Sequence, residues 1–285
     1  MTTARFQRPK LADIGFTTDD SSVFYRPQCS KFPLVVLAIY RAVVALYVTG
    51  FFIVVLGFSI KNQGGASFIY LTTYAFMIFI AYNVAATVNV IWDGCMKRRT
   101  AGEGLLLRHK THWFLFAMTT DINFLVTLVY WCALYMPSLP LIYDLTMHTL
   151  TSVVCLLDLA LTPVPVRLLH CIYPLLLGTV YLAFTVVFWA VGGYGREPIY
   201  WLLDYSNYPG RAAGAIVGIF VALLFLHVVV WALYKLKLWI WFKCDGGTRP
   251  RQMRASVTSA EEHCIEQENL VKDPPTAELI GTPKV

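Results

Sequence analysis

Apolar positions in this chain fall in long unbroken runs, and six of the runs are long enough to cross a bilayer. They cover residues 33–60, 68–92, 112–136, 145–162, 170–192 and 212–242. Each reads as a helix, because about 30 Å of hydrocarbon needs roughly 20 residues at 1.5 Å apiece, with every backbone polar group paired inside the segment. Continuous patterning excludes a period-two membrane barrel, and no internal repeat marks an inverted-repeat transporter. The expected fold is all-α, a polytopic membrane bundle of six transmembrane helices over 32–243. An N-terminal arm precedes it at 1–31, and a polar, proline-containing tail at 244–285 is expected to be disordered.

Composition agrees. At 57% apolar and 14% charged, 285 residues hold more apolar surface than one soluble core buries. The first thirty residues are too polar for a cleaved signal peptide, so the first span is expected to direct insertion and the N-terminus to be kept. Nineteen Lys and Arg fall on the arm, the second and fourth loops and the end of the chain, against Lys61, Arg196 and Arg211 on the opposite side. That asymmetry predicts both termini in the cytoplasm, in the plasma membrane or the endoplasmic reticulum. The net charge of +6 follows from this topology and from acidic inner-leaflet lipids, and no nucleic-acid partner is read into it. Of seven cysteines only Cys132 approaches the outer face, so no disulfide framework is expected. Zinc-type Cys/His spacing and phosphate-cradling glycine loops are lacking, and neither a metal nor a cofactor is expected.

Ionisable residues inside the apolar runs stand out, because lipid makes them costly. Arg41 lies roughly 12 Å along the first helix from Pro33 by helical rise. It is expected to pair with Asp121 or Asp158, which share its half of the bilayer, as a structural clamp. The fourth run carries His148 near one end and Asp158 near the other, with hydroxyls at Thr146, Thr149, Thr151 and Ser152. By helical rise His148 lies about 5 Å past Leu145, and Thr72 about 6 Å past Phe68, both in the outer leaflet. Asp144, four residues before His148, is placed to orient the imidazole. A hydroxyl, an imidazole and an orienting carboxylate are the parts of an activated nucleophile. The plainer reading has Thr72 bonding its own backbone and His148 a headgroup. It leaves Tyr70, Tyr74, Tyr130 and Tyr135 in an aromatic belt, His227 as an interhelical donor, and Lys235 and Lys237 snorkelling. The loop GGYGREPIYWLLDYSNYPGR is the largest outer segment and a candidate lid.

The run SVVCLLDLALTPVPVRLLHCIYPLLLGTVYLAF, with YLTTY before it and PIYWLLDYSNYPGRAAG after it, closely resembles the rolling stone family over residues 31–240. That family is similar, more distantly, to the androgen-induced membrane hydrolases. In those enzymes a Thr in an aromatic-Leu-Thr triplet and a His in Met-His-Thr cleave fatty acid esters of hydroxy fatty acids. The resemblance implies Thr72 of Tyr70-Leu71-Thr72 and His148 of Met147-His148-Thr149 as their counterparts. Leu145 stands where those hydrolases carry a second His. Two function classes follow. One is an intramembrane hydrolase taking a lipid-ester substrate from surrounding membrane lipids. The other, implied by the rolling stone resemblance through myoblast fusion, is a non-enzymatic plasma-membrane organiser of adhesion or fusion with a membrane or cell-surface protein partner.

Overall fold

Among the described residues, six helices are long and apolar enough to cross a membrane: α1 Leu34–Asn62, α2 Leu71–Met96, α3 Leu107–Leu134, α4 Leu141–Leu161, α5 Leu168–Ala190 and α6 Pro209–Lys243. The structure is a computed structural model and describes residues 10–29, 31–97, 104–135 and 140–244, among which no strand occurs. Two compact units divide the chain, residues 1–237 and 238–285. The described part of the second is residues 238–244, where Lys243 lies 4.2 Å from the centre of the Trp239 ring. The expectations of a disordered tail and of an arm segment before residue 10 lie outside the described residues.

Local chemistry sets the helix ends. Pro33, extended at ψ 131°, leads into α1, and Gly64 in the left-handed conformation (φ 59°) closes it. Pro140 starts α4 by accepting from Tyr143 at 2.8 Å, four residues earlier than the apolar run alone suggests. Thr162, held extended by the following Pro163, ends α4.

α2, α3 and α4 form the core, with Phe76, Phe79, Tyr82, Trp113, Phe116 and Cys155 fully buried. α1 adds one inward stripe, Leu37, Arg41, Ala45 and Val48, at helical spacing. α5 and α6 turn Val180, Val187, Val217, Val221 and Phe225 outward, the surface that hydrocarbon solvates.

Three stretches widen into π-helix: Val90–Met96 in α2, Tyr130–Leu134 in α3 and Thr146–Leu150 in α4. The first closes with Lys97 N–H donating to the Trp92 carbonyl at 2.7 Å. Such turns re-aim side chains, and each of these carries a residue of a polar cluster.

The arm is more ordered than its composition suggests. Leu11–Ile14 and Ser21–Phe24 are 3-10 turns, the second capped by Asp20 accepting from Ser22 N at 2.9 Å. Phe24 stacks on His109 with ring centres 5.5 Å apart, and Phe16 sits among Trp113, His170 and Tyr173. Arg167 clamps this segment, donating to Gly15 O at 2.7 Å and Thr17 O at 2.5 Å, and Tyr173 adds a bond to Ile14 O at 2.6 Å.

Candidate functional site

The expected cluster of Arg41, Asp121 and Asp158 divides into two. Arg41 Nη1 donates to Asp158 Oδ2 at 2.6 Å, both residues being almost wholly buried. Tyr82 donates to the same oxygen at 2.8 Å and Tyr40 to Oδ1 at 2.8 Å, so three donors from α1 and α2 converge on one α4 carboxylate. Buried charges survive in a low-dielectric interior only with such partners. Asp121 belongs elsewhere: its Oδ2 meets His227 Nδ1 at 2.7 Å, and His227 Nε2 donates to the Arg167 carbonyl at 3.1 Å. Helix rotation decides the split, because Asp121 lies on the α3 face towards α6 and not towards α1.

A third cluster joins α2 to α3. Asp93 accepts two bonds from Arg108 and one from His109 Nε2 at 2.8 Å. The other His109 nitrogen accepts from Leu106 N at 3.3 Å, which places the proton on Nε2. Satisfied this way, Arg108 and His109 join the first turn of α3, which therefore begins at Leu107 and not near residue 112. Lys237, expected to snorkel, instead donates to Leu159 O and Thr162 O at 2.8 Å each and caps the end of α4.

Thr72, His148 and Asp144 occupy the opposite end of the bundle. His148 is buried within the π-turn of α4, and its Nδ1 lies 3.3 Å from the backbone carbonyl of Asp144. A carbonyl only accepts, so Nδ1 carries the proton and Nε2 keeps a lone pair. The Asp144 carboxylate was expected at this ring. It accepts instead from the Tyr130 hydroxyl at 2.6 Å. The imidazole thus meets the backbone carbonyl four residues earlier, and not the side chain there, the same contact that Thr120 makes with Phe116 O and Asn123 with Thr119 O. Tyr130 in turn lies flat on His148, with ring centres 3.4 Å apart and planes within 1°. Thr127 adds a bond from its hydroxyl to His148 O.

Thr72 lines an open apolar pocket between α3, α5 and α6, with Tyr130, Tyr181 and Tyr200 also on its wall. Tyr200 accepts from Leu71 N at 2.9 Å, fixing the start of α2 beside the loop that follows α5. That loop covers the pocket with Leu202 and Leu203 and is pinned by Trp201 Nε1 on Ala133 O at 3.1 Å. Within it Asp204 accepts from Asn207 N at 2.8 Å, which holds its carboxyl below the usual range. His148 is not among the lining residues, and Tyr130 is the side chain common to the pocket and the imidazole.

The family model described as protein rolling stone matches residues 4–244. The chain belongs to the rolling stone family. Protein rolling stone of Drosophila melanogaster is 29% identical over 248 residues, covering 79% of this chain and 87% of that protein. No solved structure matches the chain significantly. The matched residues of this rolling stone family member include all six spans, so it is an integral multi-pass membrane protein.

Tyr130, Tyr82, Asp93 and Lys237 are absent from the sequence-derived site. The signal for Tyr130 is the short connection between α3 and α4: residues equally far from its midpoint meet in an antiparallel pair, and Tyr130 and His148 are equidistant from about residue 139. Asp93 carries the same cue, being 15 and 16 residues from Arg108 and His109 across the α2–α3 connection, whereas Tyr82 carries none, because Asp158 lies 76 residues away on a helix that does not follow its own.

Proposed function

We propose that this rolling stone family protein is an intramembrane hydrolase of long-chain lipid esters, such as fatty acid esters of hydroxy fatty acids, with Thr72 as nucleophile and His148 as general base. The observation that carries this reading is Tyr130, which shares a pocket wall with Thr72 and stacks on a histidine whose Nε2 is left as the basic nitrogen. The basic-residue asymmetry supports presentation of the ester from the outer leaflet.

In the first half-reaction His148, brought within reach of Thr72 as substrate fills the pocket, takes the Thr72 hydroxyl proton on Nε2 while Oγ1 attacks the ester carbonyl. The tetrahedral intermediate expels the alcohol, which leaves with that proton, and an acyl-threonine remains. Water then gives a proton to Nε2 and attacks the acyl carbon. Thr72 recovers the proton as the fatty acid departs, so one water is consumed per ester.

The experiment is labelling by a fluorophosphonate probe, with ester cleavage measured on protein held in lipid nanodiscs. Labelling that competes with a long-chain ester is expected. Protein that neither labels nor cleaves any such ester, yet supports adhesion or fusion when expressed in cells, removes the hydrolase and leaves the organiser.

A further inference from the structure

The pocket beside Thr72 is a slot with a direction. It takes side chains from Leu134 to Ile122 on α3, a drop of roughly 18 Å at helical rise, and reaches Gly178 on α5 and Leu223 on α6. Thr72 stands at the loop end beside Tyr130 and Tyr200, whose hydroxyls are engaged with Asp144 and Leu71 N, while the deep end is hydrocarbon from Ile122, Val126 and Leu223. Both flanking helices present apolar surface outward at this depth. A cavity of such chemistry inside a bilayer offers water no partners, and a hydrocarbon chain fills it at no desolvation cost.

Gly178 keeps the deep end open. A Cβ built there meets the Phe220 ring at 3.8 Å and Leu223 at 4.0 Å, ordinary contact, so a larger side chain at 178 is accommodated by occupying the slot. Tyr130 stands at the other end, with one face on His148 at 3.4 Å, its hydroxyl on Asp144 at 2.6 Å, ring contacts to Trp131 and Tyr135, and a place on the slot wall. A chain lying in the slot therefore packs against the residue that holds the imidazole.

We propose that the slot between α3, α5 and α6 binds one long acyl chain, and that Tyr130 is the positioning residue through which this chain aligns His148. The inference rests on the hydrolase reading for its catalytic half, while chain binding stands apart from it.

The binding half is tested with a photoactivatable, non-cleavable long-chain ether lipid in nanodiscs, with the crosslinked residues mapped by mass spectrometry. Crosslinks at Val126, Leu182 or Phe220, lost in Gly178→Phe but kept in Gly178→Ala, are expected. Crosslinks spread over the lipid-facing sides of α1 and α6, unchanged by Gly178→Phe, overturn the slot.

The positioning half is read by ¹⁵N NMR of the His148 ring and by kinetics. Tyr130→Phe keeps the stack and should stay within about threefold of wild type in kcat, whereas Tyr130→Leu should lower kcat by about tenfold or more with KM little changed. Tyr130→Leu should also broaden or shift the His148 resonances, and slot occupancy should sharpen them only when residue 130 is aromatic. Unchanged resonances and kcat in Tyr130→Leu overturn the positioning role. If Tyr130→Leu fails to fold, an insensitivity of the wild-type His148 resonances to the ether lipid overturns it equally. Wild-type protein that crosslinks as expected but cleaves no ester removes the hydrolase reading and leaves the chain site standing.

Discussion

Arg41 and Asp158 lie 117 residues apart in the chain and meet at 2.6 Å in the interior, with almost no surface exposed on either side. The pair ties α1, otherwise surrounded by lipid on most of its face, to the core formed by α2, α3 and α4. Removing one partner strands the other charge among Tyr40, Tyr82 and Cys155.

Arg41→Ala should therefore destabilise the folded protein by about 3–5 kcal/mol. Arg41→Met combined with Asp158→Leu should recover a large part of that loss, because neither charge is then left unpaired. Stability in mild detergent, measured by unfolding in added denaturing detergent, checks this. Strictly additive losses would show that the two residues do not act as a pair.

Thr72→Ala and His148→Ala should each abolish probe labelling and ester cleavage while leaving expression and insertion intact, and the double variant should be no worse than either single one. Asp144→Asn should cost far less, since the carbonyl that holds His148 Nδ1 belongs to the backbone and an amide can still accept from Tyr130. A loss in Asp144→Asn equal to that in His148→Ala would mean that the carboxylate itself takes part.

The basic-residue asymmetry predicts that protease added outside intact cells leaves tags at both termini untouched, while a tag in residues 193–211 is cleaved. Cleavage at either terminus reverses the orientation and moves the proposed site to the inner leaflet.

Arg167 holds the arm by two bonds, to Gly15 O and Thr17 O. Arg167→Ala should raise the rate of limited proteolysis near residues 13–17 by several-fold in permeabilised membranes, and Phe16→Ala should do the same by emptying the aromatic site between Trp113 and Tyr173. Protease resistance equal to wild type in both variants would show that the arm is held by other contacts.

The six spans were legible without the structure because hydrophobic length is a local property: a run of apolar residues has the same need to leave water whatever surrounds it. Their starts were less legible where a polar residue finds a partner far away. α3 begins at Leu107 because Asp93 takes Arg108 and His109, residues that look interfacial when read alone.

What the sequence determined by itself is the class, the number and order of the spanning helices, and the need for Arg41 to have a partner; the depths of Thr72 and His148 moved with the starts of α2 at Leu71 and α4 at Leu141. Only the tertiary structure decided that the partner is Asp158 while Asp121 serves His227, that the Asp144 carboxylate serves Tyr130 while its backbone serves His148, and that Thr72 faces an apolar slot. The reason is geometric. Helical rise sets how deep a side chain sits, but the direction in which it points depends on the rotation of each helix about its axis. That rotation is set by packing against the other helices and, for His148 and Tyr130, by π-turns that no local pattern of hydrophobic residues announces.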